Sequence, residues 1–125
     1  MQIPEALKYT EDHEWIAIDG DTVTIGITDY AQGELGDVVF VELPEVDAEF
    51  SAKDNCGEIE AVKTVADVYA PVSGVVTAVN DQLNDAPDLM NKDPYGEGWL
   101  LKLKLTDTAQ VDTLLSAEQY QALIQ

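Results

Sequence analysis

The 125 residues carry six lysines, no arginine and 25 acidic side chains, for a net charge of −19. Such a surface repels phosphate backbones and anionic headgroups, so nucleic acid and acidic membranes are excluded as partners. A hydrophobic fraction of 46 %, much of it in β-branched runs, argues against the disorder that the charge alone would suggest, and the length suits one domain over residues 1–125.

The N-terminal stretch MQIPEALKYT has neither an apolar signal core nor an Arg-rich amphipathic segment. A cytoplasmic chain of bacterial type is therefore expected. Residues 15–18 (WIAI) and 22–27 (TVTIGI) read as strands joined by the tight-turn signal DGD. TDYAQGELG, 28–36, breaks the strand period; Thr28 or Asp29 suits an N-cap and Gly36 a C-terminal stop. DVVFVEL, 37–43, is another strand, stopped by Pro44, and 46–51 suits a short one.

Two strand-like arms, 57–62 and 64–70, flank Lys63, and Pro71, Ser73 and Gly74 mark the next turn. VVTAVN (75–80) follows as a strand, then short helical turns within 81–91, a DPYGEG turn, and the alternating strand WLLKLKL over 99–105. Ser116 and Gln119 stand at capping-box spacing ahead of a C-terminal helix, 116–125, whose Tyr120, Leu123 and Ile124 share a face. Many short strands and one terminal helix give a mainly β fold, a sandwich or barrel.

Few residues carry recognisable chemistry. Cys56 is the only cysteine; no intrachain disulfide is available, and its apolar setting suits a buried, inert thiol. His13 is the only histidine and has no partners for a zinc site; a local hydrogen bond at the start of the first strand is expected. Trp15 and Trp99 read as core aromatics, and YGEGW (95–99) as a tight turn. DGD lacks the length of an EF-hand loop. With no nucleophile–base pair, phosphate loop or metal motif, no catalytic or metal residue is assigned. The acidic surface serves solubility, or steers the chain to partners with basic docking faces. Like charge opposes self-association, so a monomer is expected.

Lys63 stands alone between Val62 and Thr64 in an apolar stretch. On spacing alone it is either a plain surface lysine or an isolated target for a modifying enzyme, held out at a hairpin tip. Its surroundings are more specific. KYTEDHEWI, TVTIGITDYAQGELGDVVFVELPEV, IEAVKTVADVYAPVSGVV and NKDPYGEGWLLKLK together resemble the H proteins of the glycine cleavage system, in order and over nearly the whole chain. Biotin carriers share the hairpin, but there methionines typically flank the lysine.

The resemblance implies a two-sheet, barrel-sandwich hybrid fold with short helices, and a lipoyl group amide-linked to Lys63. It implies a carrier rather than an enzyme. A pyridoxal-phosphate-dependent glycine decarboxylase would load an aminomethyl group onto the arm. A tetrahydrofolate-dependent aminomethyltransferase would unload it, and dihydrolipoyl dehydrogenase would reoxidise the dithiol. A lipoate ligase or lipoyl/octanoyl transferase would attach the cofactor. A loaded aminomethyl cation is open to hydrolysis and costly to desolvate unless a carboxylate pairs with it. Glu14 and Asp67 match the acidic positions of the cleft that would shelter it, and Glu60 lies close enough to Lys63 to assist recognition during lipoylation. Tyr30 and Glu34 receive no role. Two alternatives share these residues: a relay donating lipoyl or octanoyl groups to other complexes, and an unmodified acidic interaction domain.

Overall fold

The chain builds two antiparallel sheets that pack face to face. The computed structural model describes residues 2–125. The larger sheet uses β1 (Lys8–Tyr9), β2 (Glu14–Asp19), β3 (Thr22–Ile27), β5 (Glu49–Phe50), β8 (Gly74–Val79) and β9 (Leu101–Leu105), in the order β1-β2-β3-β9-β8-β5. The smaller holds β4 (Val38–Glu42), β6 (Asn55–Ala61) and β7 (Val65–Tyr69), in the order β4-β6-β7. Neither sheet closes on itself, so the architecture is the expected two-sheet hybrid without a closed barrel.

Alternation along the strands decides what lies between the sheets. Leu101, Leu103 and Leu105 of β9 turn inward while Lys102 and Lys104 turn outward. With Ile16, Val23, Ile25 and Val76 they meet Val38, Val41, Ile59 and Val68 of the smaller sheet in one core. Each such side chain, fully buried, contributes roughly 1.5–3 kcal/mol. Cys56 lies in this core, 4 % exposed, and burial, with the Glu14 carboxyl as a lesser cause, pushes its thiol up to about 12; it is inert, as its setting suggested.

A second cluster lies at the β1–β2 end. Tyr9, Trp15, Ala117 and Tyr120 are buried together there. Helix α4 (Ala117–Ile124) starts with the expected capping box of Ser116 and Gln119 and lays the Tyr120 ring on Tyr9, centroids 4.8 Å apart. Only Tyr120 of the three proposed apolar positions is fully buried; Leu123 is 50 % exposed. The eight-residue helix docks through Ala117 and Tyr120, and Ile124 in its last turn is partly buried against the same cluster. Trp15 lies flat across its cross-strand partner Gly26, where an added Cβ would come within 2.5 Å of the indole, and its ring N–H donates to Pro94 O at 2.9 Å. Trp99 precedes β9 rather than starting it, and is half-buried with Lys102 Nζ 5.4 Å from its ring centroid.

Three helical pieces shape the remainder. Helix α1 (Asp29–Leu35) is capped by Thr28, whose hydroxyl accepts from Ala31 N, and stops at Gly36 with φ +78°. Short helices α2 (Gln82–Asp85) and α3 (Leu89–Lys92) fill the expected loop. The two-residue β1 and a 3₁₀ segment, Thr108–Thr113, carry too little periodicity to be seen in the sequence.

Candidate functional site

The β6–β7 hairpin turns through Val62 and Lys63. Ala61 N donates to Thr64 O at 2.8 Å and closes the loop, and Val62 N donates to Asp37 O at 3.0 Å, fastening the tip to the segment before β4. Lys63 is exposed, and the three ion pairs among the described residues use Lys53 and Lys92. Its stem lies over Gly36: a Cβ built there would meet Lys63 Cε at 3.2 Å and Nζ at 3.7 Å. The stop of α1 needs glycine for its positive φ, and the exposed lysine stem rests over it.

Beyond Gly36, α1 forms one wall of a cleft of about 160 Å³ through Ala31, Glu34 and Leu35. Ile59, Ala66, Asp67 and Val68 form the opposite wall, with Ile27 and the segment Asp12–Glu14 at its end. Lys63 therefore sits just past the end of the helix that walls the cleft. From Gly36 to Ala31 is five residues of helix, roughly 7.5 Å.

Glu14 is the deepest polar group of this cleft. It is 3 % exposed, and both oxygens are engaged: Oε1 accepts from the Thr10 hydroxyl at 3.1 Å, Oε2 from Tyr69 N at 2.9 Å. Burial pushes its pKa up to about 8, against the opposing pull of those two hydrogen bonds. Asp67 differs. It is exposed, on edge strand β7, and pairs in register with Glu58, so it reaches the cleft only at its rim. Glu60 pairs with Val65 and Phe40 on the outward side of the smaller sheet, away from the cleft.

His13 departs from the expected local bond. It adopts φ +68°, which aims its ring at the C-terminal helix, where Nδ1 lies 2.9 Å from the Tyr120 hydroxyl; the same hydroxyl is 2.7 Å from Thr28 Oγ1. One side chain 107 positions away in the chain therefore ties the cleft's end to the N-cap of its helical wall. His13, Ala31, Glu34 and Leu35 escaped sequence reasoning as cleft residues. The signal was present for three of them: 31, 34 and 35 recur at helical spacing and share one face.

Known proteins settle the family. The model of the glycine cleavage H-protein family matches residues 7–125. The chain belongs to that family. It is 54 % identical over 124 residues to the glycine cleavage system H protein of Staphylococcus carnosus, covering 99 % of this chain and 98 % of that one. It is 53 % identical, with the same coverage, to the H protein of Geobacillus kaustophilus. A crystal structure of the H protein from Mycobacterium marinum superposes with a TM-score of 0.87 at 45 % identity, over 95 % of this chain and 96 % of that one. H proteins are carriers, not catalysts. Among the described residues, no group of His, Cys, Asp and Glu is arranged to hold a metal ion, and no helix is long and apolar enough to cross a membrane.

Proposed function

We propose that this H-family chain is the lipoyl-bearing shuttle of the glycine cleavage system, a single carrier domain modified at Lys63. The observation that carries this reading is the placement of Lys63: exposed at a braced hairpin tip, its stem laid over Gly36, next to the helix that walls the cleft. The residues fit a lipoyl group. Gly36 leaves the lysine stem a path, and Ile27, Leu35 and Ile59 give the cleft an apolar lining. The distance from tip to cleft is shorter than an extended lysine stem joined to a lipoyl chain.

Attachment forms an amide between Nζ and the lipoyl carboxyl carbon. That carbon's bond to its activating group, an adenylate or thioester, breaks, and the amine gives up a proton. When bound, the lipoyl group would supply a disulfide that is reduced as glycine's carboxylate leaves as CO2, one sulfur taking the aminomethyl unit and the other a proton, and loss of that unit would leave the dithiol. Glycine decarboxylase, the tetrahydrofolate-dependent aminomethyltransferase and dihydrolipoyl dehydrogenase are the partners. A lipoate ligase or lipoyl/octanoyl transferase attaches the cofactor, and Glu60 helps that enzyme recognise the hairpin.

The cleft's own residues supply shelter. Asp67 at the rim draws the cationic cargo in. Glu14, neutral in the empty cleft below about pH 8, ionises as the amine arrives, and its proton leaves to solvent. An uncharged floor avoids a buried, unpaired carboxylate when the cleft is empty.

The test is intact mass and peptide mapping after incubation with lipoate, ATP and a lipoate ligase. One lipoyl amide is expected, at Lys63, and none in Lys63→Arg. A free Lys63 under conditions that modify a control lipoyl domain would overturn the proposal.

A further inference from the structure

The outward face of the smaller sheet is unusual for so acidic a chain. Val39, Phe40, Val62 and Val65 are 53, 49, 74 and 57 % exposed, four of the seven exposed large hydrophobics among the described residues. The register shift between Val38 and Phe40 gathers them. A bulged strand sets two residues against one on its neighbour, so Val39 and Phe40 both face solvent opposite Glu60. Phe40, Glu60 and Val65 then form one cross-strand row, beside the tip that holds Lys63. Scattered single apolar residues need no explanation; here Phe40 and Val65 flank the Glu60 carboxylate on neighbouring strands, with Val39 and Val62 at the same end of the sheet.

The next outward row is entirely acidic: Glu42 opposite Glu58, and Glu58 opposite Asp67. No lysine lies on β4, β6 or β7. Like charges directly opposite each other destabilise a sheet, and nothing on this face neutralises them. A partner that seats an apolar side chain against Phe40 and Val65 and sets cations over the acidic row would relieve both costs.

Reach identifies the partner. Enzymes acting on the far end of a long arm are free to dock at a distance from Lys63. The enzyme that forms the amide must bring its reacting carbon to Nζ itself, so its surface must cover the tip and the row beside it. Building on the proposed modification of Lys63, we propose that the outward face of β4, β6 and β7 is the docking surface for the enzyme that acylates this lysine. That enzyme presents an apolar contact to Val39, Phe40 and Val65, and lysines or arginines to Glu42, Glu58 and Asp67.

The test is calorimetric binding of the unmodified protein to a lipoate ligase, together with acylation rates at Lys63. Phe40→Ser is expected to weaken binding about tenfold or more, and Glu42→Gln with Glu58→Gln about fivefold with a shallower salt dependence. All three side chains are at least partly exposed, so the variants should keep the wild-type melting transition within a few degrees. Wild-type acylation at Lys63 with unaltered binding by every variant would sink the surface alone. No acylation of the wild type would sink the proposed function and this surface with it. Normal ligase binding, with loss appearing only when pre-lipoylated variants meet glycine decarboxylase, would assign the face to that enzyme and overturn the proposal.

Discussion

The two sheets use their apolar residues differently. At the β1–β2 end of the larger sheet even the outer surface is covered: Tyr9, Trp15 and Tyr120 are at most 3 % exposed, and every polar atom they bury is matched. Tyr9 OH donates to Pro4 O at 2.6 Å, Trp15 Nε1 donates to Pro94 O, and the Tyr120 hydroxyl bonds both His13 and Thr28. The outward face of the smaller sheet has no cover. It leaves Phe40 and Val65 about half exposed and lines up carboxylates behind them. One surface is built for stability, and the other gives up stability to stay accessible.

The largest effect should separate the two regions. Tyr120→Ala removes a fully buried ring stacked on Tyr9 and leaves His13 Nδ1 and Thr28 Oγ1 without their shared partner. A loss of about 3–5 kcal/mol is expected in urea unfolding. Phe40→Ala, on the bare face, should cost less than about 1 kcal/mol. Comparable losses from both would show that the outward face carries structural load and is not held open for a partner.

The seam between the sheets gives the next effect. Glu14 begins β2 and accepts from Tyr69 N at the end of β7, joining one sheet to the other. Its pKa is raised from 4.5 to about 8 by burial, so between those values the folded chain binds a proton that the unfolded chain has lost. This contribution to stability is complete below pH 4.5 and fades as pH rises through 8, by at most ~1.4 kcal/mol per pH unit. Glu14→Gln keeps a neutral group of similar shape and should flatten that decline in melts run from pH 5 to pH 8. A variant whose melting temperature tracks the wild type across this range would mean that Glu14 is already ionised in the fold. In the loaded carrier, Glu14→Gln with Asp67→Asn should release the one-carbon unit to solvent faster; unchanged leakage would remove both residues from the cargo site.

Local chemistry was legible in the sequence where it is short-range. Thr28 and Gly36 bound α1 as their residue types require, the capping box starts α4, and β2 and β3 pair across the DGD turn signal. The hairpin around Lys63 was equally plain, its arms ending within about two residues of where they were expected. Long-range partners were not legible. Nothing adjacent to His13 announces Tyr120, and the depth of Glu14 depends on Tyr69 arriving from another sheet. The bulge at Val39 was hidden because DVVFVEL reads as an unbroken strand. Only pairing with β6 shows that Val39 has no partner of its own, and only then does the Phe40–Glu60–Val65 row beside Lys63 appear.

The smallest expected effect has the opposite sign. Glu58 stands between Glu42 and Asp67 on the bare face, so Glu58→Gln removes the shared member of two like-charge pairs and loses no hydrogen bond described for its side chain. A gain of roughly 0.2–1 kcal/mol is expected at low ionic strength. It should shrink in 1 M salt, where screening acts over about 3 Å. No comparable gain is available on the covered side, where the polar groups are already matched. A natural sequence that retains an easily removed repulsion is spending stability on something other than the fold. If Glu58→Gln instead destabilises the chain, or its gain persists in salt, the acidic row is not a repulsive array, and the case for a cationic partner loses its energetic half while the Phe40–Glu60–Val65 row beside Lys63 still stands.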